Sequence, residues 1–300
     1  MEFAVFQFEL VAKDELRLPR YKGSAFRGLL GHALKRTVCV TRMDRCDGCL
    51  LRQDCVYAYI FETFNKRGER VARPFVLEPP LLERRIFPEG DSMLLQLILF
   101  GKAVDYIPYL IHTFREMGRM GLGANRGRFW LRRVTYKEKI IYHFEEQALH
   151  TDFERENLFS IKADGQTVEK AKIRFITPTA IKQNGQLRKD IDFVSLLKAV
   201  KRRIKALSIY HNGHLSDELY FDLDKAQSVS INGLNLAPFA WKRYSNRQKQ
   251  KIDLSGFVGE MELRGDLTSF IPLLRMGEII HIGRGTVYGM GKYLVDIIKD

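Results

Sequence analysis

Gly121-Leu-Gly-Ala-Asn-Arg-Gly127 and Gly283-Arg-Gly-Thr-Val-Tyr-Gly289 share the spacing Gly-x-Gly-x-x-x-Gly and lie 162 residues apart (283 minus 121). Each follows an amphipathic stretch holding an Ile-Pro pair, Ile107-Pro108 and Ile271-Pro272, and before it a strand-like run ending in Gly101 or Gly265. The offset at those earlier anchors is 164 (265 minus 101), so one copy lacks two residues ahead of its loop. Strand, helix, glycine loop and strand thus recur in the same order, which argues for two tandem domains of one fold. Glycine in such a loop lets backbone amides approach a partner that a Cβ would hold off, phosphate included. A dinucleotide site is not indicated, because the pattern precedes a strand instead of opening a helix after one.

Working outward, residues 3 to 11 alternate as a strand, and Gly23-Ser24 opens a helix to about Val38 with Ser24 as its expected N-cap. A strand is expected between Tyr57 and Leu82, then one near 94–100, a helix near 104–116 and a closing strand near 129–134. In the second half, Lys172 to Pro178 alternates as a strand that the proline stops. Phe193, Leu196, Leu197, Val200, Ile204 and Leu207 recur at helical spacing opposite Lys198, Lys201, Arg202 and Lys205. A hairpin over 239–247 and 252–263, a short helix over 267–275 and a strand over 292–298 complete the pattern. The fold expected is α+β: two tandem ferredoxin-like (βαββαβ) domains, residues 1–140 and 141–300, with a four-cysteine metal-binding insertion (39–55) in the first.

Three hundred residues, 45% hydrophobic, suffice for two cores. A formal charge of +13 points to a polyanionic partner, nucleic acid before an anionic membrane surface. No early segment reads as a signal peptide and no apolar run reaches membrane-spanning length, so a cytoplasmic location is expected. In a reducing compartment Cys39, Cys46, Cys49 and Cys55, all within a short stretch, suit a metal better than disulfides. Zinc is the first expectation and an iron–sulfur cluster the second, with unliganded thiols as the plain alternative. Four protein ligands leave no open position, so the role expected is structural.

The C-terminal half carries Arg174-Phe-Ile-Thr-Pro178, Arg202-Arg203-Ile204, Gly256-Phe-Val-Gly-Glu260 and Gly283-Arg-Gly-Thr-Val-Tyr-Gly289-Met-Gly291; the N-terminal half carries Gly23-Ser-Ala-Phe-Arg-Gly28 and Gly31-His32. These stretches resemble the CRISPR-associated RAMP proteins that process precursor CRISPR RNA. The glycine loop marks RAMP proteins in general, including non-catalytic subunits of CRISPR effector complexes; the Thr-Pro strand with Gly-Phe-Val-Gly-Glu is more particular to the processing endoribonucleases. The resemblance implies metal-independent cleavage within repeat RNA by attack of a ribose 2′-hydroxyl, leaving a 2′,3′-cyclic phosphate and a 5′-hydroxyl. It also implies CRISPR repeat RNA as partner, with effector subunits as further partners and no membrane. The alternative is a non-catalytic RNA-binding RAMP subunit.

Such chemistry needs a base, an acid and a cation for the phosphorane charge, and histidine suits either proton role. Of seven histidines, His32 falls off the apolar face of the first helix, beside the small Gly28 and the cations Lys35 and Arg36. The resemblance places a catalytic histidine on or just after this helix, and His32 is the matching position. His281, bordering the second loop, is the competitor. Tyr21 is a candidate orienting or proton-donating hydroxyl and Lys35 a candidate charge stabiliser. For RNA grip the candidates are Arg27 and Arg36 on the first helix; Arg119, Gly121, Gly123, Arg126 and Arg128 around the first loop; and His281, Gly283, Arg284, Gly285, Tyr288 and Lys292 around the second. Arg202 and the basic stretch Lys242, Arg243 and Arg247 add further positive charge. The plain reading of the glycines is tight packing of the loop onto the sheet.

Overall fold

The computed structural model describes residues 1–64, 69, 71–162, 165–183, 186–187, 191–211, 219–245 and 250–299. Arg247 therefore lies outside the described residues. The chain divides into two compact units, Met1–Glu156 with Tyr210–Asn212, and Asn157–Ile209 with Gly213–Asp300.

The first unit runs β1 (Glu2–Ala12), α1 (Gly23–Val38), β2 (Phe75–Glu78), β3 (Ser92–Phe100), α2 (Ile107–Met120), β4 (Phe129–Tyr136) and β5 (Lys139–His143). Its main sheet is ordered β2-β3-β1-β4-β5 with antiparallel neighbours. Phe6, Phe8 and Leu10 alternate along β1 into the core, and the rings of Phe8 and Phe114 lie 4.3 Å apart, which fixes α2 on the central strand. Phe26, Leu30, Ala33 and Leu34 bury the inner face of α1. Because β5 is a hairpin partner of β4, the chain stays with the first sheet past 140, and the division falls at 156/157. Ser24 is not the N-cap: Lys22 holds that place, and its carbonyl accepts from the amides of Ala25 and Phe26.

The second unit runs β6 (Lys170–Thr179), α3 (Phe193–His211), β7 (Ser230–Phe239), β8 (Gly256–Arg264), α4 (Ile271–Ile280) and β9 (Tyr293–Ile297), ordered β7-β8-β6-β9 and antiparallel throughout. Ala171, Ile173 and Phe175 alternate toward Leu196, Leu197, Val200, Ile204 and Leu207 in the core. The hairpin expected over 239–247 and 252–263 is corrected: the long partner of β8 is β7, and residues 242–245 and 250–253 form a separate two-stranded excursion. Asn232, Gly233 and Pro238 mask β7 as a strand; it is an edge, and most of its side chains are exposed. Pro178 does not end β6, which continues to Thr179.

The two glycine loops sit alike in their units, though not in the register their shared spacing suggests. Gly121, with φ +80°, ends α2 by donating its amide to the Met117 carbonyl; in the second unit that place is taken by His281, with φ +57°, donating to Gly277. The next amides, Leu122 and Ile282, bond the carbonyls of Gly127 and Gly291. Gly123 and Gly283, with φ +86° and +74°, then lie against the chain leaving the first strand of their unit. A Cβ on either would overlap the carbonyl oxygen of Arg17 or Ala180, and the following amides, Ala124 and Arg284, donate to those same carbonyls at 3.0 and 2.9 Å. The structural offset is therefore 160 (283 minus 123), and the matching spacing pairs glycines two positions out of step. The second loop carries an extra 3-10 turn, Thr286–Tyr288, before it closes at Gly291.

Candidate nucleic-acid interface

Gly28, His32 and Arg36 recur every fourth residue along α1 and are all exposed, so they form one open stripe opposite the buried face. Nothing lies within 4 Å of the position a Gly28 Cβ would take, so the space beside His32 is open. Lys35 is directed elsewhere: its Nζ donates to the Asp44 carbonyl at 2.7 Å and stands 5.8 Å from the Tyr57 ring centroid. Arg27, at the other end of the helix, stacks its guanidinium 4.9 Å from the centre of Phe61, whose ring lies 5.6 Å from and nearly parallel to that of Tyr57. Two of the expected functional cations thus clamp α1 onto the aromatic pair that follows the cysteine segment. Gly31 admits that packing, because a Cβ there would meet the Phe61 ring at 2.5 Å.

Tyr21 is buried, 8% exposed; burial first and the Glu78 charge second raise its phenol well above the ordinary range, so it stays protonated. Its neighbour Lys22, which the sequence reading passed over, is the unusual group here. Its ammonium is buried, donates to the carbonyls of Leu82 (2.5 Å) and Arg20 (3.3 Å), and stands 5.8 Å from the Phe87 ring centroid. Burial lowers its pKa, and the charges of Arg84 and Arg85 add to the effect. A lone lysine between Tyr21 and Gly23 carries no pattern that would announce burial.

The expected RNA-gripping cations divide by what they already hold. Arg119 pairs with Glu116 at 2.6 Å, and Arg128 grips both carboxylate oxygens of Asp14 at 2.8 and 3.1 Å. Arg36, Arg126, Arg202 and Lys242 are exposed; the backbone of Arg243 lies opposite Ile252 in the two-stranded excursion; Arg284, Tyr288 and Lys292 are half-buried beside the second loop. His281 is 0% exposed, and its Nδ1 lies 3.0 Å from the Met290 carbonyl, so its ring presents no surface to a ligand. The loop amides of Leu122, Ala124, Ile282, Arg284, Tyr288, Gly289 and Gly291 are bonded to main-chain carbonyls, so the packing role of the glycines is the one displayed.

The Arg128 fork gives a pH prediction. Its side-chain hydrogen bonds hold the Asp14 carboxyl at about 2, below the 3.8 of a free carboxyl. A folded-state value below the unfolded one contributes stability above the unfolded pKa, lost as pH falls through the folded one. Thermal melts of wild type and Asp14→Asn should therefore differ near neutrality and converge between about pH 4 and 2; a difference that persists at pH 2 contradicts the pairing.

Cys39, Cys46, Cys49 and Cys55 are half-buried free thiols, and all four line one cavity of about 400 Å³ between the end of α1 and Tyr57. Thr41 Oγ1 lies 3.8 Å from Cys39 Sγ and 3.6 Å from Cys49 Sγ. Among the described residues no three histidine, cysteine or acidic side chains converge to a metal-holding arrangement.

Comparison with known proteins agrees with the class of molecule that two antiparallel α+β units and a basic surface define. Residues 173–293 match the family described as CRISPR-associated endoribonuclease Cas6, and residues 1–154 match the AF_1859_N family, described as an N-terminal domain. The N-terminal match spans half of the chain, which therefore belongs to the AF_1859_N family, and the shorter C-terminal match makes residues 173–293 similar to the Cas6 family of CRISPR-associated endoribonucleases. An uncharacterized protein of Archaeoglobus fulgidus is 27% identical over 296 residues, covering 94% of this chain and 93% of that one. In fold, the chain is similar to Thermus thermophilus Cas6 (TM-score 0.57, 17% identity, 98% of both chains). It is similar also to a Cas6 product complex (TM-score 0.59, 19% identity, 98% of this chain and 100% of that one). A chain of a partial Cas6-RT-Cas1–Cas2 complex matches at TM-score 0.60 and 12% identity, over 99% of this chain and 46% of that one. Among the described residues no helix is long and apolar enough to cross a membrane.

Proposed function

We propose that this protein cleaves CRISPR repeat RNA without a catalytic metal, with His32 as its proton-transfer group. The observation that carries the reading is the open stripe of Gly28, His32 and Arg36 on α1, in a chain whose residues 173–293 match the CRISPR-associated endoribonuclease Cas6. In the proposed step a 2′-hydroxyl gives up its proton, the 2′-oxygen attacks the adjacent phosphorus, and the P–O5′ bond breaks as the 5′-oxygen is protonated. The products are a 2′,3′-cyclic phosphate and a 5′-hydroxyl. His32 serves one of the two proton transfers, and Arg36, one turn further on, takes the charge-stabilising role in place of Lys35. Arg126, Arg202 and Lys242 supply exposed charge for the backbone. Both units are read as ferredoxin-like, supported by the order in which the first strand of each lies between the third and the fourth.

The test is incubation of purified protein with repeat RNA in EDTA, beside the same RNA carrying one 2′-deoxyribose at the scissile position. Cleavage of the first and not the second is expected, since only a ribose has the nucleophile. Tight binding without cleavage by folded protein would sink the enzyme reading in favour of an RNA-holding subunit of an effector complex. Gly28 adds a second expectation. Glycine inside a helix costs about 0.5–1 kcal/mol relative to alanine, and nothing crowds this one. Gly28→Ala should raise the melting temperature, while the larger Gly28→Leu slows cleavage by filling the space beside His32.

A further inference from the structure

Residues 39 to 55 have no helix or strand, only turns and bends, and they expose much of what apolar surface they have: Val40 is 81% and Leu50 98% exposed. Such a segment has no core of its own to hold it. It nonetheless places every cysteine of the chain on one cavity, from three different local structures. Cys39 caps the end of α1, donating its amide to the Lys35 carbonyl. Cys46 and Cys49 flank a tight turn in which Gly48 takes φ +79° and the Cys49 amide bonds the Cys46 carbonyl. Cys55 leads into the single π-helical turn Ala58–Glu62, with its carbonyl accepting from the Tyr59 amide. Charges of both signs border the thiols: Arg45, Arg52 and Asp54 line the same cavity, and the Lys35 ammonium reaches the adjoining Asp44 carbonyl.

We propose that these four cysteines bind one structural zinc ion, and that the ion fastens the 39–55 segment to the C-terminal end of the helix carrying His32. Soft thiolates in a set of four match tetrahedral zinc, and sets of this kind hold small segments that lack a core. Binding converts Zn²⁺ and four thiols to a tetrathiolate of charge −2, with four protons released to solvent. Arg45 and Lys35 offset part of that charge, against Asp54 on the same cavity. The thiols close onto the ion from their places around the cavity, where Thr41 Oγ1 already bridges Cys39 and Cys49.

The test is elemental analysis and thiol titration of wild-type protein purified under reducing, chelator-free conditions. Expected are one zinc per chain, thiols that react only as a mercurial displaces the zinc, and a tetrahedral cobalt–thiolate spectrum after exchange with Co²⁺. The double variant Cys46→Ser with Cys49→Ser should lose both zinc and spectrum. Should that variant fail to fold, zinc released per mercurial bound in wild type decides the matter by itself. A folded wild-type protein with four freely reactive thiols and no metal after equilibration with zinc would overturn the proposal. So would iron with inorganic sulfide, or disulfides among these cysteines. None of these readouts involves RNA, so their outcome is independent of the cleavage reading.

Discussion

His32→Ala is expected to slow single-turnover cleavage of repeat RNA by a factor on the order of 10²–10⁴, the usual worth of a placed general acid or base. Affinity for the RNA should change little, because Arg36 on α1 and the exposed Arg126 and Arg202 are untouched. The geometry separates His32 from its rivals. His281 is sealed beneath the second loop with its Nδ1 at the Met290 carbonyl, so His281→Ala should lower the melting temperature and reach cleavage only through folding. Lys35→Ala should behave similarly, since its ammonium holds Asp44 and faces Tyr57 instead of the open stripe. Rates and melting curves measured on the same three variants discriminate: a His32→Ala protein that cleaves at the wild-type rate removes His32 from the mechanism, whatever the family.

What could be read from the chain follows from which forces act locally. The span of α1 and the openness of His32 rest on a 3.6-residue period that burial enforces, and both match the structure. The core face of α3 was legible for the same reason. Strand β7 was not, because an exposed edge is under no pressure to alternate and tolerates Asn232, Gly233 and Pro238. The roles of the cations were the least legible part. Arg27, Lys35, Arg119 and Arg128 look alike in sequence, yet each is engaged by an aromatic ring, a carbonyl or a carboxylate contributed by residues that composition does not locate. Charge counting thus names the partner class and overstates the number of residues available to touch it.

The glycine loops give the second large effect, and it separates two meanings of one motif. If the loops are equivalent through the shared Gly-x-Gly-x-x-x-Gly spacing, Gly121 answers to Gly283 and Gly123 to Gly285. If they are equivalent through packing, Gly123 answers to Gly283, since both lie against the chain leaving the first strand. Alanine at Gly123 or Gly283 must adopt a left-handed φ, at about 1–2 kcal/mol, and also force its methyl onto a backbone carbonyl, which overpacking data put at about 1–3 kcal/mol more. Gly123→Ala and Gly283→Ala should therefore destabilise by similar amounts, about 2–5 kcal/mol in chemical denaturation. Gly285→Ala meets the Met290 sulfur at 2.6 Å, the movable end of a flexible side chain, and should cost only the backbone strain, about 1–2 kcal/mol. A Gly285→Ala protein as unstable as Gly283→Ala would contradict the packing register. The expected split means the loops hold each unit's last strand to the exit of its first, so damage to RNA binding in the Gly123 and Gly283 variants should track the loss of folded protein.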